Sequence, residues 1–431
     1  MKIFFCGATS EVTGSKTFVE LPDGLIMIDC GLVQGPDNAQ EQNNSPLPFS
    51  YSEIQHIIIT HAHLDHSGLL PRMVKKGFAG KIFCTSPTAK LLKVILLDSA
   101  NLVEEEFYTE QDVMVTLSMI ETVEWDRPTA ILGASFKFLP AGHILGASSV
   151  LIQSGSKRVL FSGDLGRSDD ALIPGPPECP KVDAIIMEST YGGKVRQGDY
   201  HKELHTFLDK ISREQRVGII ASFAVARAQM LMTLISEFYH RHPEEKVRVV
   251  IDSPMMKEAS RVYKQYAHLT LKKDHLKEAM EEFEVMEHQR EWETLRKKSG
   301  PLIILSSSGM LTGGRIKRHL ENWQDDSKAI LFLPGYQGEG TPGRAFVEGQ
   351  RQMKTGEDEW LTWTGEVWNS DAFSSHADQN ELLNWVGNIS KDTHLYLIHG
   401  EQESKDAFKN VLNNKGYTNV SLPHRGTTLI I

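Results

Sequence analysis

Paired cysteines are missing from this chain. Its four cysteines, Cys6, Cys30, Cys84 and Cys179, are scattered, and none forms a C-x-x-C pair. That excludes a disulfide framework or a cysteine-built structural zinc site, so any metal must be held by histidine and carboxylate. Long apolar runs are also missing. Stretches such as Ile57-Ile58-Ile59 are far too short to span a bilayer. The first residues, Met1-Lys2-Ile3-Phe4-Phe5, run directly into a strand-like pattern without the apolar stretch and small-residue cleavage site of a signal peptide. The expectation is a cytoplasmic protein with no membrane partner. An excess of positive charge is missing too: 46 Lys and Arg stand against 56 Asp and Glu. The formal net charge is −10, which disfavours broad, non-specific nucleic-acid binding. It leaves room for a locally basic groove, and bound cations would add charge that the formal count omits.

The chain has 431 residues, of which 40% are hydrophobic and 24% charged. A length beyond the reach of one core makes two domains the expectation. The first half alternates short apolar strands with Gly, Pro and Asp: 2–6, 16–20, 25–29, 56–60, 81–84, 135–139, 148–152, 158–162 and 183–187. Helices are expected after Ser67 and over 87–106. The middle changes to strand–helix alternation: strands at 218–222, 248–252, 302–306 and 329–333, helices at 226–240, from 256, and at 314–323. That order predicts a parallel sheet with crossover helices. The polar stretch 257–298 reads as a solvated amphipathic helix pair. After about 355 short strands return, at 359–363, 367–369 and 395–398, which suggests that the middle is inserted into the first domain. The expected division is 1–200, 201–354 and 355–431.

The densest chemical signal is His61-Ala62-His63-Leu64-Asp65-His66, directly after Ile57-Ile58-Ile59-Thr60. Loops leaving the carboxyl ends of strands are where α/β proteins place their sites. Imidazole and carboxylate together suit Zn²⁺. His61 and His63 are two residues apart, so an extended backbone sends both to one side. Asp65 and His66 sit on the turn into the next helix and can address a second ion. The plain alternative, a helix start capped by Asp65 with incidental surface histidines, rarely concentrates three histidines and an aspartate in six residues. Further ligands are expected at other strand ends: His143 after Phe136–Leu139, Asp164 after Val159–Phe161, and His399 after Leu397-Ile398.

With these residues in view, the chain resembles the metallo-β-lactamase superfamily. His61-Ala62-His63-Leu64-Asp65-His66 matches its H-x-H-x-D-H signature, His143 and Asp164 its later ligands, and Asp29 in Met27-Ile28-Asp29-Cys30-Gly31 its early acidic motif. The inserted middle, Glu188 in Met187-Glu188-Ser189-Thr190, His376 in Ser374-Ser375-His376-Ala377-Asp378 and His399-Gly400-Glu401 narrow the resemblance to the β-CASP ribonucleases, in particular those that process RNA 3′ ends. Gly7-Ala8 through Glu11-Val12-Thr13-Gly14-Ser15 also resembles the family's opening. The resemblance implies an αββα sandwich with an inserted Rossmann-like β-CASP domain, two Zn²⁺ per chain, and RNA as partner. His61, His63, His143 and Asp164 would hold one ion, and Asp65, His66, Asp164 and His399 the other. Asp29 would orient a ligand or a bound water. His376, oriented by Glu188, would protonate the departing 3′ oxygen. Asp65, Asp29, Glu188 and His376 are thus the expected catalytic residues.

Three Ser/Gly-rich strand ends in the middle domain are candidate substrate contacts. They are Ser222-Phe223, Ser307-Ser308-Gly309 with Arg315, and the loop holding Tyr336 and Arg344. Backbone N–H groups and hydroxyls at a helix start suit a phosphate, and Phe223 suits base stacking. Ordinary strand-to-helix turns explain each of them equally well. These features together point to a zinc-dependent endoribonuclease; they do not fix the assembly, for which a homodimer is one option. A 5′-exoribonuclease of the same branch and a thioesterase or lactonase stand as alternatives. The latter needs neither the inserted domain nor the Glu188–His376 pair. A non-catalytic RNA-binding relative would have lost ligands, and none is missing.

Overall fold

A computed structural model describes residues 1–35, 38–286, 292–297, 300–356 and 359–431. The chain separates into two compact units, Met1–Val195 with His376–Ile431, and Arg196–Ser375.

In the first unit, two seven-stranded sheets are formed among the described residues. One runs in the order Thr428–Ile430, Lys2–Gly7, Lys16–Leu21, Gly24–Ile28, Ile54–Ile58, Lys81–Cys84, Ile120–Thr122. The other runs Val420–Ser421, His394–Ile398, Ala184–Glu188, Lys157–Phe161, Ser148–Ser154, Ala134–Pro140, Thr129–Ile131. Ile3, Val19, Ile26, Ile58 and Phe83 of the first sheet share a core with Phe136, Val150, Ile152, Val159 and Ile186 of the second. The strands nearest the site are buried along nearly their whole length, which is why they read as unbroken apolar runs instead of alternating patterns. The helices Leu70–Lys75, Ser86–Ala100 and Glu110–Ser118 pack on one another beside the first sheet, and Gln402–Asn414 lies on the second. The layers are therefore αββα, as expected.

In the second unit, among the described residues, a six-stranded sheet runs Glu284–Val285, Arg248–Asp252, Leu302–Ser306, Val217–Ala221, Ala329–Pro334, Glu366–Ser370, with every pairing parallel. The helix Arg227–Arg241 is buried over nearly all its length, so its sequence shows little amphipathic contrast.

Two details depart from the sequence reading. Within 257–298 the chain does not keep to a helix pair. Helices Pro254–Gln265 and Lys273–Glu282 are followed by the short strand Glu284–Val285, which pairs with Arg248–Asp252. Part of that stretch, 287–291 and 298, lies outside the described residues. The return to the first unit also falls at His376, beyond the expected 355. The strand Glu366–Ser370 pairs with Ala329–Pro334 and so belongs to the inserted sheet. Local alternation cannot reveal which sheet a short strand joins. Among the described residues, no helix is long and apolar enough to cross a membrane.

Candidate metal centre

The metal loop leaves the end of Ile54–Ile58, where Ile57, Ile58 and Ile59 are fully buried. His61 and His63 follow on irregular chain with bends at Ala62 and His63, and Leu64–Ser67 makes one helical turn that carries Asp65 and His66. Ser15, just before Lys16–Leu21, and the segment after Gly24–Ile28 together clamp this loop. Ser15 N–H donates to Asp65 O at 2.8 Å, Cys30 N–H to His66 O at 2.7 Å, and Leu32 N–H to Leu64 O at 2.8 Å. Gly31 is where the two segments touch: a Cβ there would sit 1.6 Å from Asp65 O. Asp29 and His399 adopt positive φ, 58° and 49°. Such a conformation costs non-glycine residues on the order of 1–3 kcal/mol and is retained where the surroundings impose it. Here Asp29 N–H bonds Ile58 O, and His399 N–H bonds Ala8 O in the opening motif.

Two groups of ligand atoms result. His61, His63, His143 and Asp164 form one, and Asp65, His66, Asp164 and His399 the other, so Asp164 belongs to both. In the first, His61 Nε2 and His143 Nε2 lie 3.1 and 3.2 Å from His63 Nδ1, and 3.5 and 3.7 Å from Asp164 Oδ2. In the second, His66 Nε2 lies 3.0 Å from His399 Nε2, 3.2 Å from Asp164 Oδ1 and 3.8 Å from Asp65 Oδ2. A tetrahedral cation with bonds of about 2.0–2.1 Å has ligand–ligand edges of about 3.3–3.4 Å, so both groups have the size of a cation's coordination shell. Ring nitrogens that converge this closely have little other reason to do so.

The electrostatics agree. Burial pushes the His61 and His143 imidazoles well down, and His63 to about 4, which keeps them neutral with a lone pair to offer. His66 goes the other way. Burial opposes its charge, but Asp164, Asp29 and Asp65 outweigh burial and raise it well above the ordinary value. Asp164 is held well below the carboxylate range: burial works against this, and His399, His66 and His61 overcome it. The cluster thus holds an excess of buried negative charge that a cation would balance.

Asp29 stands behind the ligands. Its Oδ2 lies 2.7 Å from His66 Nδ1, and its oxygens accept from Thr60 N–H at 2.8 Å and Thr60 Oγ1–H at 2.9 Å. Thr60 Oγ1 also lies 3.1 Å from His61 Nδ1. Thr190 Oγ1 plays a similar part, 3.1 Å from His399 Nδ1. Neither threonine is singled out by the sequence reading; Thr60 precedes His61 directly, and Thr190 lies two residues beyond the end of Ala184–Glu188.

The expected pair lies beside the first ligand group. Glu188, at the end of Ala184–Glu188, places Oε1 at 3.3 Å from His376 Nδ1 and accepts Leu165 N–H at 2.6 Å. The His376 ring lies 4.4 Å from that of His143. Burial disfavours the imidazolium, but Glu188 outweighs it and raises the His376 pKa. Asp378 does cap the following helix, Gln379–Trp385, in a capping box with Glu381. The capping and the Glu188 contact coexist, because Asp378 and His376 face different partners.

The expected substrate contacts all fall in the second unit, after adjacent strands of its parallel sheet. Gly309 packs on Phe223, whose ring is 40% exposed, and Ser222 is buried. Ser307 Oγ–H donates to Ser253 Oγ at 3.0 Å, and Ser308 Oγ lies 3.1 Å from Thr312 Oγ1. Arg315 is more than a solvated helix residue. It donates to buried Asp252 at 2.6 Å, which also meets His319 Nε2 at 2.8 Å and Trp292 Nε1 at 2.6 Å. Arg344 pairs with Glu348 on its own helix surface, and Tyr336 follows the strand Ala329–Pro334.

Three family models match. The metallo-β-lactamase superfamily model covers residues 11–214, the Beta-Casp domain 228–346, and the Zn-dependent metallo-hydrolase RNA specificity domain 365–423. Among curated relatives, Ribonuclease TTHA0252 of Thermus thermophilus is 31% identical, over 96% of this chain and 97% of its own length. The RNase J-like protein of Methanocaldococcus jannaschii is 30% identical over 99% of both. Cleavage and polyadenylation specificity factor 73 of Drosophila melanogaster is 28% identical over 95% of this chain and 61% of its own. A crystal structure of a protein of unknown function from Enterococcus faecalis shares the fold at a TM-score of 0.58 and 15% identity, covering 100% of this chain and 99% of that one. The chain belongs to the β-CASP branch of the metallo-β-lactamase superfamily, and its His/Asp cluster has the make-up of a dinuclear metal site.

Proposed function

We propose that this chain is a zinc-dependent ribonuclease that hydrolyses RNA phosphodiester bonds endonucleolytically. The observation that carries the proposal is the juxtaposition of two four-ligand groups sharing Asp164 with the Glu188–His376 pair. Mononuclear ester hydrolysis needs no such combination, and the ribonuclease names of full-length relatives support the same reading.

Two zinc ions, when bound, supply an acidified water as nucleophile and positive charge against the phosphoryl group. The protein's part is positional and protonic. His61, His63, His143 and Asp164 would hold one ion, and Asp65, His66, Asp164 and His399 the other. Asp29 fixes the His66 ring by its Nδ1, leaving Nε2 for the ion. His376 carries its transferable proton on Nε2, since Nδ1 faces Glu188. As the bond from phosphorus to the 3′ oxygen breaks, that proton passes to the oxygen, and the products are a 3′ hydroxyl and a 5′ phosphate. Phe223, Ser307, Ser308, Gly309 and Tyr336 contact the RNA strand, and Arg315, fixed by Asp252, offers a charge-assisted donor to a phosphate.

The test is cleavage of a structured RNA, labelled at either end, by zinc-loaded protein. Discrete internal fragments from both labels are expected. Mononucleotides released stepwise from the 5′ end would overturn the endonucleolytic mode. Hydrolysis of a thioester or lactone with intact RNA would overturn the substrate class.

A further inference from the structure

Behind the metal loop, the first unit contains a small cleft that opens to solvent. Three cations line it: Lys16, Arg72 and Arg425. Among the described residues no carboxylate does, in a chain whose formal net charge is −10. We propose that this cleft is an anion site for a phosphate group, bound by Lys16 and Arg425 with Arg72 at its edge.

Lys16 carries the argument. Lysines at the protein surface usually bury the stem and keep the ammonium in water. Lys16 is only 6% exposed. Its Nζ donates one hydrogen bond, to Gly31 O at 2.8 Å, and no carboxylate pairs with it among the described residues. A buried ammonium has three N–H donors, and leaving it without a counter-charge is costly. Burial, helped by Arg425, lowers its pKa, while the Cys30 and Cys6 thiols and Glu11 pull the other way. A bound oxyanion would supply the missing charge and acceptors.

The neighbours suit the same ligand. Arg425 is exposed and has no hydrogen-bond or ion-pair partner among the described residues, so its planar fork of donors is free for a bidentate grip. Arg72 spends one Nη2 donor on Asn44 Oδ1 at 2.6 Å and lies over the Phe107 ring, which holds it in place. Tyr51 also lines the cleft. Asn43 is already consumed by both backbone groups of Val33 and serves as a wall.

The cleft also adjoins the first centre. Gly31, which receives the Lys16 bond, is the residue pressed against Asp65 O, and Cys30 bonds His66 O. The anion site therefore abuts the clamp on the metal loop without sharing a ligand with it.

Calorimetric titration of zinc-loaded protein with inorganic phosphate, and separately with adenosine 5′-monophosphate, tests the proposal. Phosphate can also bind at the metal centre, so the comparison with variants decides. In Arg425→Ala, zinc content and melting temperature should match wild type, while one binding event weakens at least tenfold. Lys16→Met should abolish that event. Because Lys16→Met alters a buried residue, the exposed Arg425 variant is the decisive comparison. Phosphate binding without nucleotide binding identifies a free-ion site. Equal affinity for the nucleotide identifies a phosphate-monoester site. Isotherms unchanged by Arg425→Ala would overturn the proposal.

Discussion

His66 Nδ1 lies 2.7 Å from Asp29 Oδ2, with both side chains buried. The contact settles which nitrogen of His66 faces the second ligand group, because Nδ1 is engaged and Nε2 points toward Asp65, Asp164 and His399. Carboxylates placed behind a ligating imidazole typically change metal affinity by about 10–100-fold. Asp29→Asn should keep the fold and lower zinc retention by that order, read as the chelator concentration that strips half the metal. Unchanged retention would show that Asp29 has no hold on the ion.

Asp164 is the only ligand common to both groups among the described residues. Asp164→Ala is therefore expected to bind no zinc firmly at either position, whereas His63→Ala should keep about one ion per chain. Elemental analysis of the dialysed variants separates the outcomes. Equal losses in the two variants would contradict a shared carboxylate.

The Glu188–His376 pair makes a different forecast. His376→Ala should retain both ions and lose about 10²–10⁴ in kcat, the usual range for a general acid. Loss of zinc together with activity would instead make His376 a ligand. Glu188 also accepts Leu165 N–H in a buried setting, so Glu188→Gln is expected to lose turnover and about 1–3 kcal/mol of stability together.

Gly31 allows a steric prediction. A Cβ at that position would lie 1.6 Å from Asp65 O and 2.6 Å from Ser15 N, both backbone atoms. Gly31→Ala must displace the metal loop, so zinc affinity is expected to fall at least tenfold even though no ligand is touched. Normal zinc affinity in a folded Gly31→Ala protein would mean that the clamp is dispensable.

The inserted unit has a pH-dependent stability of its own. Asp252 is buried, and although burial works against ionisation, the hydrogen bonds from His319 and Arg315 hold its carboxyl below the ordinary value. A depressed native pKa means stability that is complete above the ordinary carboxylate range and is lost as pH falls through the native value. Asp252→Asn should therefore destabilise the protein by roughly 3 kcal/mol at pH 7, the cost of breaking a buried ion pair. The gap to wild type should narrow below about pH 4. Denaturant midpoints of both proteins at pH 7 and below pH 4 measure it, and a gap that widens in acid would refute the assignment.

Much of the centre is legible in the sequence, for a local reason. Four of its ligands sit within His61–His66, and His143, Asp164 and His399 each follow an apolar strand closely. That chemistry is written in contiguous letters. The Asp252–Arg315–His319 cluster is not, since Arg315 and His319 lie 63 and 67 residues from Asp252, and neither spacing has a period that marks contact. The strand Glu366–Ser370 is recognisable as a strand, but its unit is not, because its partner is chosen by long-range pairing.

The sequence by itself determined the ligand types, the strands that carry them and the family, because these depend on residue identity and short-range pattern. Tertiary structure alone decided how closely the two candidate ligand groups meet at Asp164, that Thr60 and Thr190 meet the His61 and His399 rings, and that Lys16 is buried with no carboxylate partner among the described residues. Those facts are distances between residues brought together only when strands pair and sheets pack, and no local pattern encodes them.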